Sequence, residues 1–175
     1  MHRILNAVGF QCAWWALIAG ADHGLDLYAC VFAAALALAH LCWSEHRLNE
    51  WRLASTVMLL GIALDSVLQA LGVLRFEGWA VGSLSPVWLW MLWLLFGMTL
   101  NSSLSFLKNK PLILSAALGA VLGPANYIAG AQLGAAALES TPGHLAALGL
   151  TWMFALPAMV FLAQRSLPHP GPQTT

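Results

Sequence analysis

"LASTVMLLGIALDSVLQALGVL", residues 53–74, holds a single ionisable side chain, Asp65, in a run otherwise broken only by small hydroxyls and Gln69. As a helix rising ~1.5 Å per residue the run covers about 33 Å, enough to cross a hydrocarbon core of about 30 Å. It lacks the strict alternation that a membrane barrel strand would need. The stretch reads as a transmembrane helix, and the rest of the chain repeats the pattern.

Five more segments qualify: Ile4–Gly20, Leu27–Trp43, Pro86–Leu107, Leu112–Leu138 and Leu145–Ala163. Together they predict an all-α membrane protein, a six-helix transmembrane bundle forming one domain over residues 1–165. The polar, Pro-rich residues 166–175 read as a disordered tail. Composition points the same way. Hydrophobic residues make up 60% of the chain and charged residues only 8%, with a mean hydropathy of +0.76. A water-exposed surface takes about a quarter charged residues. Seven basic and seven acidic side chains leave no basic stripe for phosphate, which excludes nucleic acid as a partner. Cys12, Cys30 and Cys42 form no CxxC and are odd in number, so they read as small packing residues.

Basic residues orient the bundle. With the N-terminus inside, Arg3, Arg47, Arg52, Lys108, Lys110 and Arg165 face the cytoplasm and only Arg75 faces out. Both termini are therefore expected in the cytoplasm, with Trp43, Trp51 and Trp79 at the interfaces. Arg3, a short apolar stretch and Ala19-Gly20-Ala21 also resemble a cleavable signal peptide. Asn6, Gln11 and Trp14-Trp15 interrupt that core and favour a retained helix.

The polar residues inside the spans are the candidate site. Asp65 falls near the midplane, where an ionised carboxylate costs on the order of 3 kcal/mol. No Lys or Arg lies within any span, so Asp65 is expected to be protonated and to donate a hydrogen bond. Gly61, Asp65, Gln69 and Gly72 share one helix face. Gly97, Asn101 and Ser105 share another on the fourth helix, beside Ser102 and Ser103. On the fifth, Gly119, Gly123, Tyr127, Gly130 and Gly134 line a small-residue stripe next to Asn126. Pro124 is expected to kink or break that helix and to free the carbonyl of Ala120. Asp65, Asn126 or Tyr127 would satisfy it, closing a polar cluster between the third and fifth helices. Asn6, Gln11, Asn101 and Ser105 lie nearer the inner surface and form either the mouth of the same cavity or separate contacts. Trp90, Trp93 and Gly97 share the face of Asn101, so the indoles either wall that cavity or face lipid.

Other chemistry has little support. His40, Cys42, Glu45 and His46 are ligand types without a recognised metal spacing, and no metal or cofactor is expected. No phosphate loop, G-x-S-x-G elbow or H-E-x-x-H occurs.

"PVWLWMLWLLFGMTLNSSL", followed by "GAVLGPANYIAGAQLGA" with Asp65 upstream, resembles a bacterial inner-membrane family, domain of unknown function 2878. Gly123 to Gly130 carry the most specific part of the likeness. The resemblance implies a small multi-helix protein of the Gram-negative inner membrane that accompanies lipid-modifying enzymes. It also implies relatives with His near Ser102 and Arg at Gln132, two ionisable groups this chain lacks. The leading expectation is a membrane protein without classical catalysis that holds a lipid-like or apolar ligand in a polar-centred cavity. Asp65, Gln69, Asn101, Ser105, Asn126 and Tyr127 would line it. The alternatives are a proton or small-solute transporter centred on Asp65, and a structural subunit. The subunit would meet a partner or a second copy through Gly119, Gly123, Gly130 and Gly134.

Overall fold

The computed structural model describes residues 2–166; the tail expected beyond Ser166 lies outside the described residues. The described residues form six α-helices: α1 (His2–His23), α2 (Asp26–Trp43), α3 (Arg47–Ala70), α4 (Val87–Thr99), α5 (Leu112–Gln132) and α6 (Pro142–Ser166). All but α4 are long and apolar enough to cross a membrane, and the protein is multi-pass. Large apolar side chains such as Ile113, Val121 and Phe154 are exposed around the bundle. In a bilayer that surface is solvated by acyl chains, so it carries no penalty.

The fourth helix departs most from expectation. It ends at Thr99, not Leu107, and the chain continues through turns into a 3₁₀ helix at Ser105–Asn109. Hydroxyl side chains compete for the backbone there. Thr99 Oγ1 donates to the Phe96 carbonyl at 2.6 Å and Ser105 Oγ to that of Ser102 at 2.7 Å. At thirteen residues α4 is about 20 Å long. It is packed against α1, α2 and α3.

The fifth helix also ends early, at Gln132 and not Leu138, because Gly134 takes a φ of 84° and turns the chain. Gly72, at 72°, ends α3 the same way at Ala70, short of the expected Leu74. The two released segments pair as a short antiparallel ladder, β1 (Arg75–Phe76) with β2 (Ala136–Ala137). Pro124 does not break α5, which is α-helical on both sides of it. The Ala120 carbonyl faces Gly149 of α6, and no side chain among the described residues bonds to it.

Two sub-bundles result. Helices α1–α4 pack around α4, and α5 pairs with α6, which returns to touch α3. Cys30 is half-buried, whereas Cys12 and Cys42 face outward and pack on nothing inside.

Candidate functional site

Two glycines, each one turn before a polar residue, build the centre. On α3, a Cβ at Gly61 would lie 2.1 Å from the Trp93 indole, so only glycine lets the ring rest on the helix backbone. One turn later, Asp65 Oδ2 accepts the Trp93 Nε1 proton at 2.5 Å. On α5, a Cβ at Gly123 would lie 2.2 Å from Trp152. One turn later, the Tyr127 hydroxyl donates to Asp65 Oδ1. The two tryptophans stack at 5.1 Å and 15°, joining the sub-bundles. Asp65 is fully buried and both its oxygens are engaged. An indole N–H can only donate, so Asp65 Oδ2 accepts, and both oxygens are bonded to Trp93 and Tyr127, not to the Ala120 carbonyl.

Beside this knot lies a cavity of about 340 Å³. Phe10, Trp14 and Ile18 of α1 and Leu92, Trp93 and Phe96 of α4 form one wall. Leu118, Leu122, Asn126 and Tyr127 of α5, with Trp152 and Leu156 of α6, form the other. Phe76, Ala135 and Ala136 close one end, and Leu104, Phe106 and Leu107 close the opposite end. Phe106 and Leu122 line the cavity and are about half exposed, which places them at its rim.

A family model described as "Protein of unknown function (DUF2878)" matches residues 3–158. The chain belongs to this family. No curated protein and no solved structure matches the chain. The residues the DUF2878 match covers include every cavity wall, from Phe10 to Leu156. The Gly-Pro-x-x-Tyr stretch that carries the likeness supplies Gly123, Asn126 and Tyr127 to one of them.

Of the six residues expected to contact a ligand, only Asn126 and Tyr127 line the cavity. Asp65 stands behind Trp93 and Tyr127. Asn126 spends its amide on the Leu122 carbonyl at 2.8 Å. Gln69 accepts from the Phe76 backbone N–H at 3.4 Å, beside the strand pair. Asn101 and Ser105 belong to a separate cluster near the other end. There Asn101 Nδ2 donates to Ser166 Oγ at 3.0 Å and its Oδ1 accepts from Lys108 Nζ at 2.8 Å. The small-residue stripe is filled from within the chain. Trp152 covers Gly119 and Gly123, Ile18 faces Gly130 and Asp22 faces Gly134. Of the indoles on α4, Trp93 walls the cavity, while Trp90 donates to the Ser85 carbonyl at 2.7 Å.

Sequence reading missed the residues beside Asn101. Glu50, which lies outside every expected span, is buried in the first turn of α3, 3.6 Å from His40 Nε2. It lies in register with Leu53, Ala54, Val57 and Gly61 on the buried face, a signal the sequence carried. The Ser103 backbone N–H donates to Asn6 Oδ1 at 3.3 Å, which turns the Asn6 amide nitrogen to His40 Nδ1 at 3.4 Å.

Proposed function

We propose that this protein holds one hydrocarbon chain of a lipid-like ligand inside the membrane, as an accessory to envelope lipid metabolism. We place it in the bacterial inner membrane with both termini in the cytoplasm, as the bias of six basic residues to one end supports. The observation that carries the reading is the cavity itself. Ligand sites run roughly 300–1,000 Å³ and are lined mainly by apolar and aromatic groups. A dry cavity without polar partners does not retain water and takes apolar guests. At about 30 Å³ per water-sized group, 340 Å³ holds roughly eleven carbons, most of one acyl chain. In this reading Asp65 does not touch the ligand; it fixes Trp93 and Tyr127, and Asn126 shapes the wall. The full burial of Asp65, with both oxygens bonded, favours holding over proton transport, and the covered glycine stripe leaves a partner helix little to grip.

The test is mass spectrometry of lipids that co-purify with the wild type and with Leu122→Trp, which fills the cavity from its rim. The reading expects retained lipid in the wild type and at least a fivefold loss in the variant. Equal retention by both would overturn it.

A further inference from the structure

A chain held in the cavity needs somewhere to leave its head, and the two ends differ. At the end formed by the 3₁₀ helix, Lys108 is already spent on Asn101, with Gln164 Nε2 donating to the Lys108 carbonyl at 2.8 Å. At the other end, a second, polar groove of about 670 Å³ lies beyond the strand pair. The two spaces share Ala136 as a wall. Strand geometry explains the division, since successive side chains point to opposite faces. Phe76 turns into the apolar cavity and its neighbour Arg75 into the groove.

The groove holds one guanidinium, Arg75, and one carboxylate, Glu139, with Gln69, Gln132 and Ser140 between neutral walls. Both charged side chains are exposed, and neither forms a salt bridge or a side-chain hydrogen bond among the described residues. A planar guanidinium is suited to a phosphate, which it can bind through two hydrogen bonds. A free carboxylate in the same groove repels a purely anionic head and attracts an ammonium.

We propose that this groove is the headgroup site for a zwitterionic phospholipid. Its phosphate pairs with Arg75, its primary ammonium with Glu139, and one acyl chain passes the edge of the strand pair into the cavity. The second chain stays in the bilayer past the rim at Leu122 and Phe106. This assignment rests on the holding role proposed above.

The experiment reconstitutes the purified protein in vesicles of equal phosphatidylethanolamine and phosphatidylglycerol, re-extracts it, and quantifies bound lipid by mass spectrometry. Wild type is expected to hold phosphatidylethanolamine at least threefold over phosphatidylglycerol. Arg75→Gln should lower both by fivefold or more. Glu139→Gln should keep total lipid but bring the ratio to that of the vesicle. Both positions are exposed, so the variants fold, and circular dichroism checks it. If both variants match wild type while Leu122→Trp still loses lipid, the headgroup site is wrong and the cavity stands. If Leu122→Trp also matches wild type, the holding role fails as well.

Discussion

Two carboxylates are buried among the described residues, in contrasting settings. Asp65, deep between the sub-bundles, has each oxygen taken by a neutral donor, Trp93 and Tyr127. Glu50, at the end of the bundle, faces His40 across 3.6 Å, and its Oε2 and the His40 Nε2 have no hydrogen-bond partner among the described residues. The lesson concerns what each setting demands. Where no water or lysine is within reach, an acid survives by being fully bonded, and its donors become as fixed as it is. At the bundle's end, beside Lys108 and a polar connection, looser pairing is tolerated.

The comparison breaks most sharply at Asp65. Asp65→Ala strands the Trp93 N–H and the Tyr127 hydroxyl in a dry site, at about 1–3 kcal/mol for each group. We expect the largest fall in thermal stability of any variant here, measured by the unfolding midpoint in detergent. Asp65→Asn should lose less, about 1–2 kcal/mol, because one acceptor oxygen remains. If Asp65→Ala unfolds at the wild-type midpoint, the knot is not what joins the sub-bundles.

Next come the glycines that seat the indoles. Gly123→Leu should cost about 1–3 kcal/mol by driving into Trp152. Gly130→Ala should cost under about 1 kcal/mol, since its added Cβ meets only the end of the Ile18 side chain at 3.4 Å. Equal effects at the two positions would argue against a specific seat for Trp152.

Glu50→Gln should change stability by under about 1 kcal/mol, because Glu50 Oε2 makes no hydrogen bond among the described residues that the change would remove. A loss matching that of Asp65→Ala would erase the contrast between the two acids.

The smallest effect expected is a pH dependence at Lys108. Burial holds its ammonium below the ordinary 10.5, with nearby Glu50 partly offsetting this. A base lowered on folding binds fewer protons folded than unfolded, so stability rises with pH between the lowered value and 10.5. The slope of the unfolding midpoint over that interval should flatten in Lys108→Gln.

Six helices were legible because each apolar run is longer than any loop and lipid surrounds them. The end of α4 was not, since Thr99 and Ser105 fit a membrane helix by hydropathy while their hydroxyls bond backbone carbonyls three residues back. The strand pair escaped notice because a two-residue ladder is set by the meeting of two helix ends, not by local pattern. At the site, the Gly61–Asp65 and Gly123–Tyr127 spacings were visible as shared faces. The bulky partners that fill those faces, Trp93 and Trp152, lie on α4 and α6, and only the packing pairs them. Glu50 was readable from its register, but its neighbours Glu45, His46 and Arg47 made the segment look wholly solvated.

The most direct test of the central claim is photo-crosslinking with a phospholipid carrying a photoreactive group midway along its acyl chain. If the cavity holds a chain, label appears on Trp93 and Leu156, which line the cavity and are buried. Label confined to the outward-facing Ile113, Val121 and Phe154 would contradict the account.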